Sequence, residues 1–209
     1  MKKKRMYSFF KRIFDILFST IAIIFLIFPM IIIAICIKCD SKGPVFFKQK
    51  RIGKNKKIFN ILKFRSMYID TDPNAPTHLL GNANSHITKV GSFIRKMSID
   101  ELPQLFNIWI GQMSFVGPRP ALWNQEDLIA ERDKYNANNI IPGLTGLAQI
   151  SGRDELEIAA KAKLDGEYVK KRSFFYDIGL IFKTVFSVFK HDGVVEGGTG
   201  ELSKKKDDK

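Results

Sequence analysis

A long apolar segment dominates the pattern of hydrophobic and polar positions near the start of the chain. From Ile16 to Ile37 no residue is charged, and Leu, Ile and Phe predominate. As a helix rising about 1.5 Å per residue, the segment would be about 33 Å long, enough for the hydrocarbon core of a bilayer. A signal peptide would have a shorter apolar core and a small-residue cleavage site, and Ile35-Cys36-Ile37-Lys38 offers none. The pattern therefore predicts a retained membrane helix.

Two features bear on how this helix enters the membrane. Pro29 lies near its middle, where the ring removes a backbone hydrogen bond and favours a kink. Basic residues flank both ends, and the positive-inside rule keeps such flanks in the cytoplasm. They are Lys2, Lys3, Lys4, Arg5, Lys11 and Arg12 before the segment, and Lys38, Lys42, Lys48, Lys50, Arg51 and Lys54 after it. A re-entrant helix bent at Pro29 would keep both basic flanks in the cytoplasm, whereas a helix that spans the bilayer would keep only one there. Both arrangements remain open here.

The rest of the chain predicts short strands and several helices, without an internal repeat. Residues 45–70 predict two short strands around the basic turn Gly53–Lys56, followed by a polar loop over 71–86. Apolar periodicity and turn residues then predict helices over 88–97, 99–110, 121–137, 155–171 and 174–190. The prediction is an α/β fold, mostly α. It has a basic segment and membrane helix over 1–40, one cytosolic domain over 41–196 and a disordered basic tail over 197–209.

The last predicted helix, 174–190, is amphipathic and rich in Phe. It carries Asp177, Lys183 and Lys190, which makes it too charged to span a bilayer. Two interpretations remain open: a helix lying in the membrane interface, or an ordinary core helix.

The net charge of the chain indicates an anionic partner. The 209 residues carry 34 Lys and Arg against 21 Asp and Glu, a formal net charge of +13. Such an excess favours phospholipid headgroups, nucleic acid or phosphorylated substrates as partners. The two cysteines, Cys36 and Cys39, end the apolar segment without a second pair or a nearby His, so no zinc or redox role is predicted.

The most informative polar run is Arg95 to Leu105, which contains Asp100 and Glu101. Ser98 and Glu101 have the spacing of a capping box, a purely structural explanation that leaves Asp100 unexplained. An acidic pair in a first helical turn faces the positive end of the helix dipole, which favours the ionised forms. An ionised Asp can attack phosphorus, and two adjacent carboxylates can hold Mg²⁺. Arg95 lies one turn upstream and could meet phosphate oxygens.

Two further runs combine a rigid or Gly-rich backbone with an arginine. In Ser114–Pro120, prolines on both sides of Arg119 fix the direction of its guanidinium. The run Pro142–Arg153 is Gly-rich but matches neither a Walker A nor a dinucleotide motif. A backbone that approaches a nucleotide closely, with Arg153 on the diphosphate, is one interpretation of that run.

Four motifs together resemble the bacterial sugar transferase family, the small monotopic phosphoglycosyl transferases that begin capsule, O-antigen and glycoprotein glycan synthesis. They are Lys63-Phe64-Arg65-Ser66-Met67, Ser98 to Leu105, Met113 to Pro120 and Pro142 to Arg153. The resemblance covers roughly residues 9 to 195, in the family's order. It implies a re-entrant, proline-broken membrane helix and a domain on the cytoplasmic face of the bacterial inner membrane, bedded on interfacial amphipathic helices.

The resemblance also implies a two-step reaction. Asp100 would attack the β-phosphorus of a UDP-sugar, release UMP and form a phosphosugar-enzyme intermediate, which undecaprenyl phosphate would then attack. Glu101 would be its dyad partner, helping to hold Mg²⁺ or to position the lipid phosphate. Phosphate or nucleotide contacts would come from Arg95, Arg119, Arg153 and Lys63. Residues 99–121 and 75–77 look closest to capsule enzymes that use 6-deoxy-N-acetylhexosamines, so the resemblance implies an N-acetylhexosamine or a 6-deoxy derivative as the sugar.

The sequence departs from the family at two positions and leaves two other functions to be weighed. Phe28 precedes Pro29 where the family often has Ser, and Ile141 replaces an Arg common before the Pro-Gly turn. A non-catalytic basic membrane adaptor would explain the charge and the anchor, but not Asp100 and Glu101 beside rigidly held arginines. Nucleic-acid binding is disfavoured because the basic residues are scattered. Membrane phospholipid is an expected partner, and a homo-oligomer remains open.

Overall fold

The computed structural model describes residues 2–71, 86–152 and 156–189. The predicted tail over 197–209 and most of the predicted polar loop lie outside these residues. The helices are α1 (Lys2–Asp40), α2 (Lys89–Lys96), α3 (Gln104–Ile110), α4 (Glu126–Asp133), α5 (Leu147–Ile150), α6 (Ile158–Lys171) and α7 (Phe174–Phe189). The strands are β1 (Phe46–Ile52), β2 (Ile58–Phe64), β3 (Ser114–Val116) and β4 (Gly143–Thr145). The α/β, mostly α prediction is confirmed.

Helix α1 has a buried face and an exposed face along its length. The buried face packs on β2, α2 and α3 and consists of Asp15, Ser19, Ala22, Ile23, Leu26, Met30, Ile33, Ala34 and Ile37. The other face is apolar and exposed: Phe9, Phe25 and Phe28 have exposed fractions of 64%, 76% and 69%. Pro29 lies inside an unbroken helix rather than between two helices, and the buried stripe keeps its helical spacing across it.

Both ends of α1 are attached to the same globular domain. Near its start, Lys11 forms a salt bridge with Asp177 of α7. At its end, the Asp40 carboxylate accepts a hydrogen bond of 3.0 Å from the Val90 N–H at the start of α2. The segment just beyond α1 is held by Arg65, whose guanidinium donates to main-chain carbonyls of residues 41 and 42. By length and composition alone, α1 is the one helix in the described ranges that could cross a membrane.

The predicted pair of strands around a basic turn is confirmed. β1 and β2 form an antiparallel hairpin in which Phe46 pairs with Phe64 and Ile52 with Ile58. Asn55 in the turn has a left-handed backbone with φ of 55°, a conformation that Asn tolerates better than most residues. The inner face of β2 packs against α3 and α1, so the hairpin and α1 share one core with α3.

Three predicted helices have different bounds in the structure. The predicted helix 99–110 is divided at Pro103 into a 3-10 turn, Ile99–Glu101, and α3, because proline cannot donate within a continuous helix. The predicted helix 121–137 contains only α4. The chain turns at Leu122, whose N–H donates to Gln125 Oε1, before α4 begins. The predicted helix 155–171 begins at Ile158.

Helix α7 combines the two environments proposed for it. Asp177 and Leu180 are buried against the domain, whereas Phe175 and Phe186 have exposed fractions of 84% and 66%. One face of α7 is therefore a core face. The other is an exposed apolar face of the kind that membrane interfaces accommodate.

The Gly-rich run is a packing element in the part of it that the structure describes. β3 and β4 form a parallel pair in which Ser114 pairs with Gly143 and Val116 with Thr145. A Cβ atom on Gly143 would lie 2.0 Å from Gly117 N, and one on Gly146 would lie 2.2 Å from Gly117 O. The glycines therefore allow two backbone segments to approach each other. The predicted approach of this run to a nucleotide stays a prediction.

Gly143→Ala is expected to destabilise the protein severely, because the backbone atoms that meet the added Cβ cannot move aside without separating β3 from β4. The check is the thermal unfolding midpoint of the detergent-solubilised protein. Gly179→Ala is the matched control, since a Cβ there meets no atom within 4 Å. It lies inside α7, where Ala is favoured over Gly by about 1 kcal/mol. Equal midpoints for the two variants would contradict the packing role.

Candidate active site

Asp100 and Glu101 lie in the 3-10 turn between α2 and α3. Ser98, just before the turn, has a left-handed backbone with φ of 55°. A helix N-cap normally has an extended backbone, and the Ser98 side chain makes no capping hydrogen bond. The capping-box interpretation is therefore wrong, and both acidic side chains have to be explained by their other contacts.

Glu101 is held by two cations from distant parts of the chain. Lys63 Nζ lies 2.7 Å from Glu101 Oε1, and an Arg119 guanidinium nitrogen lies 3.1 Å from the same oxygen. Burial alone would raise the pKa of Glu101, but the charges and hydrogen bonds of Lys63 and Arg119 outweigh burial and hold that pKa far below its usual range. Glu101 is therefore a fixed negative charge at neutral pH.

Asp100 is buried, with an exposed fraction of 9%. Its Oδ2 lies 3.5 Å from Lys63 Nζ. Burial raises the pKa of Asp100 above its usual value, and the Glu101 charge adds to this. The charges of Lys63, Arg95 and Arg119 oppose the rise without cancelling it. A carboxylate with a raised pKa is more basic and, once ionised, a stronger nucleophile.

The helix-dipole expectation is wrong in direction for Asp100. α3 begins only at Gln104, and its seven residues follow Pro103. Asp100 therefore lies before the first turn of that helix, where the dipole has little effect. The desolvation of a carboxylate enclosed by the domain determines the direction of the shift instead.

Two strands bring the cations to this turn. Lys63 lies on β2, and Arg119 follows β3 between two buried prolines. The carbonyl oxygens of both prolines accept hydrogen bonds. Pro118 O accepts from the Gly143 N–H, and Pro120 O accepts from Arg51. The predicted rigidity around Arg119 thus comes from hydrogen bonding as well as from the proline rings.

Asn107 ties β2 to α3 and was missed as a residue that supports the site. The Leu62 N–H donates to Asn107 Oδ1 over 2.9 Å, and Asn107 Nδ2 donates to Asn60 O over 2.9 Å. These two bonds fix the register of β2 beside Lys63. The available signal was a buried amide within the apolar run Gln104–Ile110, since such amides need hydrogen-bond partners.

The structure brings together five of the six residues selected from the sequence. Asp100, Glu101, Lys63 and Arg119 are in contact as described. Arg95 is half-exposed in the last turn of α2, near enough for its charge to lower the pKa of Asp100. Arg153 lies outside the described residues. The assembled group is a buried carboxylate and an ionised carboxylate surrounded by three cations, which suits the binding and transfer of a phosphorylated group.

Comparison with known proteins agrees with this chemistry. Residues 6–191 match the family model described as bacterial sugar transferase. The chain belongs to the bacterial sugar transferase family. The predicted resemblance, over roughly residues 9 to 195, is therefore confirmed.

Individual relatives within the family differ in the sugar that their names specify. The chain is 40% identical over 185 residues to an undecaprenyl-phosphate glucose phosphotransferase of Komagataeibacter xylinus, covering 84% of this chain and 35% of that protein. It is 37% identical over 190 residues to a UDP-N-acetylgalactosamine-undecaprenyl-phosphate N-acetylgalactosaminephosphotransferase of Aeromonas hydrophila, covering 87% and 44%. The exopolysaccharide production protein ExoY of Rhizobium meliloti (strain 1021) is 37% identical over 193 residues, covering 85% and 84%.

The chain thus spans well under half of the length of several curated relatives that it matches, and most of the length of ExoY. The matched segment of this chain, residues 6–191, contains Lys63, Asp100, Glu101 and Arg119. Activity and substrates for the present protein therefore rest on that site.

The two carboxylates of this sugar transferase fit a metal ion that is shared with a substrate. In residues 2–71, 86–152 and 156–189 no group of three or more His, Cys, Asp and Glu side chains is placed to enclose a metal. Mg²⁺ is commonly held by one or two carboxylates, with substrate phosphates and water supplying the other ligands. Asp100 and Glu101 match that donor set, although Lys63 and Arg119 already occupy Glu101 Oε1.

Proposed function

We propose that the chain transfers a sugar 1-phosphate from a UDP-sugar to undecaprenyl phosphate, releasing UMP. This reaction would begin the synthesis of a capsule, exopolysaccharide or O-antigen type of glycan. The observation that carries the proposal is the buried Asp100 beside the Glu101–Lys63–Arg119 cluster. The names of relatives that contain this segment support undecaprenyl phosphate as the acceptor. The sugar is proposed to be an N-acetylhexosamine or a 6-deoxy derivative.

The first step forms a covalent intermediate on Asp100. An oxygen of the ionised Asp100 carboxylate attacks the β-phosphorus, the bond from that phosphorus to the bridging oxygen breaks, and UMP leaves with the bond's electrons. Lys63, Arg95 and Arg119 surround the carboxylate pair and stabilise the negative charge that moves onto the phosphate oxygens. Glu101 keeps Lys63 and Arg119 in position because it remains ionised.

The second step returns the enzyme to its starting state. A phosphate oxygen of undecaprenyl phosphate attacks the same phosphorus, the bond to Asp100 breaks, and the carboxylate is regenerated with a lipid diphosphate-linked sugar as product. Mg²⁺ held by Asp100 and Glu101 would neutralise charge on the substrate phosphates. The exposed apolar faces of α1 and α7 would place this site at the membrane, where the lipid acceptor resides.

The test of this function is UMP release from a panel of UDP-sugars by the purified protein, with and without undecaprenyl phosphate. One UDP-sugar is expected to give UMP in proportion to the lipid supplied, together with a lipid diphosphate-linked sugar. Absence of UMP with every UDP-sugar, under conditions where the undecaprenyl-phosphate glucose phosphotransferase of Komagataeibacter xylinus turns over, would contradict the proposal and favour the membrane adaptor.

Metal dependence is expected from the carboxylate pair and the diphosphate substrate. Activity should vanish in EDTA and return with excess Mg²⁺ or Mn²⁺, as measured by UMP release. The control is EDTA already saturated with Mg²⁺, which should leave the rate unchanged. Full turnover in free chelator would remove the metal from the proposed mechanism.

The proposed topology places both ends of α1 on the cytoplasmic face of the inner membrane. The contacts of Lys11 with α7 and of Asp40 with α2 support it. A helix that simply spanned the bilayer would carry one of these ends to the far side, away from the domain.

Single cysteine probes at Ser8 and Ser41 test this topology. The exposed Cys36 and Cys39 are first replaced by Ala, and Lys57→Cys on the exposed hairpin turn serves as the cytoplasmic reference. Both probes should react with an impermeant maleimide only after the inner membrane is opened. Labelling of the Ser8 probe from the periplasmic side in intact cells would establish a span and overturn the proposal.

A further inference from the structure

A second cleft lies between the first turns of α1, the β1–β2 turn and the end of α6. It encloses about 560 Å³ of solvent-connected space. Its lining includes Ser8 and Arg12 of α1, Lys54 of the hairpin turn, Asn139 and Arg172. None of Lys63, Arg95, Asp100, Glu101 and Arg119 contributes to it. The cleft is therefore separate from the proposed transfer site.

The cleft is basic, and part of its charge is already committed. Lys11 is neutralised by its salt bridge with Asp177, and Arg12 donates to main-chain carbonyls at the end of α3. Asp15 is the one carboxylate in the lining, and it is occupied by hydrogen bonds from the Ser114 hydroxyl and the Phe115 N–H.

Two cations of the lining remain without an anionic partner in the described part of the chain. Lys54 is exposed in the 3-10 turn of the hairpin. Arg172 follows α6, where the helix dipole favours a cation. The helix dipole accounts for a positive charge at this position. It does not satisfy the N–H groups of the side chain, since Arg172 Nε is buried without a hydrogen-bond acceptor in the described structure. A buried N–H without an acceptor is costly, and it shows that the contacts within the described residues leave part of the hydrogen-bonding capacity of Arg172 unused.

Exposed aromatic side chains close in sequence to lining residues indicate where the cleft would lie in the cell. Phe9 and Phe10, next to Ser8, have exposed fractions of 64% and 57%. Phe175, three residues after Arg172, is 84% exposed. Aromatic side chains of this kind enter the interfacial layer of a bilayer, which would bring the cleft level with lipid phosphates.

We propose that this cleft binds a phosphate group through Arg172 and Lys54. The guanidinium of Arg172 can donate from its two terminal nitrogens to two phosphate oxygens. Lys54 supplies a second positive charge from the hairpin turn, and Ser8 and Asn139 add polar side chains. The phosphate could belong to an anionic lipid headgroup or to a free phosphate compound, since both present the same oxygens. Occupation of the cleft would fasten the start of α1 to the domain and to the membrane surface.

The test is ligand-dependent thermal unfolding of the full chain in zwitterionic detergent, which does not depend on transferase activity. Phosphatidylglycerol, phosphatidylcholine and inorganic phosphate are titrated separately, with chloride at equal ionic strength as the reference. Lys54→Gln/Arg172→Gln is compared with Lys57→Gln/Lys170→Gln. The latter removes the same charge from exposed neighbours that make no ion pair in the described structure and do not line the cleft. Lys54→Gln alone, at an exposed position, keeps the comparison informative if the double variant fails to fold.

We expect phosphatidylglycerol to raise the unfolding midpoint of the wild type more than phosphatidylcholine does. The half-saturating concentration should rise about tenfold in the cleft variant, because two phosphate-binding cations are lost. It should stay within about twofold of wild type in the control. Stabilisation by inorganic phosphate that the cleft variant loses would assign the cleft to a free phosphate compound. The proposal would be overturned if the cleft and control variants lost the same amount of ligand-dependent stabilisation. It would also be overturned if neither phosphatidylglycerol nor inorganic phosphate raised the unfolding midpoint of the wild type.

Discussion

Asp100→Asn is expected to lower turnover by several orders of magnitude. The amide keeps the size of the side chain and can still hydrogen-bond, but it cannot form an acyl phosphate. A residue that forms a covalent bond with the transferred group leaves no equivalent route when it is removed, whereas a residue that only assists leaves a partial rate. Asp70→Asn, at an exposed position, is the control for the same chemical change and should leave turnover unaffected.

The first half-reaction distinguishes a nucleophile from a base or metal ligand. Wild-type protein given the UDP-sugar without lipid should release a stoichiometric burst of UMP and add the mass of a phosphosugar to the peptide containing Asp100. The adduct should be labile to hydroxylamine, as acyl phosphates are, and Asp100→Asn should show neither burst nor adduct. If UMP appeared only on addition of undecaprenyl phosphate, the lipid would attack the UDP-sugar directly, and Asp100 would be reduced to a base or a ligand.

The features that could be predicted from the sequence are those with a local cause. The hairpin of β1 and β2 follows from two apolar runs around Gly53–Lys56. The bounds of α2 differ from prediction by one residue at each end, and α7 begins at the predicted residue, Phe174. α1 follows from its apolar composition alone. These elements depend on neighbours a few residues apart along the chain, which is the range over which periodicity carries information.

The features that were missed depend on contacts between distant residues. Ser98 and Glu101 match a capping box, but Glu101 instead pairs with Lys63, 38 residues earlier, and Arg119, 18 residues later. No local pattern contains that preference, because a buried salt-bridge network outweighs a single capping bond. The spacing of Gly143 and Gly146 likewise gave no sign that their partner is Gly117.

The composition of the site was nevertheless available from the four motifs, because the family resemblance carries three-dimensional information that periodicity does not. It selected Lys63 and Arg119 although nothing local relates them to Asp100. The resemblance could not show which of the two carboxylates pairs directly with the cations. In the structure Glu101 pairs directly with Lys63 and Arg119. Burial raises the pKa of Asp100.

Glu101→Gln and Lys63→Gln should shift the pH dependence of the UMP burst in opposite directions. The burst requires ionised Asp100, so its acid limb follows the pKa of that carboxyl. Burial sets this pKa above its usual value, the Glu101 charge raises it further and the Lys63 charge lowers it. Glu101→Gln removes the repulsion and frees Lys63 to pair with Asp100, so the limb moves to lower pH. Lys63→Gln removes the attraction, so the limb moves to higher pH.

Both variants should also lose rate at their own optimum, by about a hundredfold each, because each removes part of the charge arrangement that stabilises the transferring phosphoryl group. The measurement is single-turnover UMP release across the pH range at saturating UDP-sugar. Lys57→Gln, on the exposed hairpin turn, controls for the loss of one positive charge and should leave both limb and rate unchanged. Shifts of the two acid limbs in the same direction would show that the group titrating in the first step is not Asp100, because opposite charges beside one carboxyl cannot move its pKa the same way when each is removed.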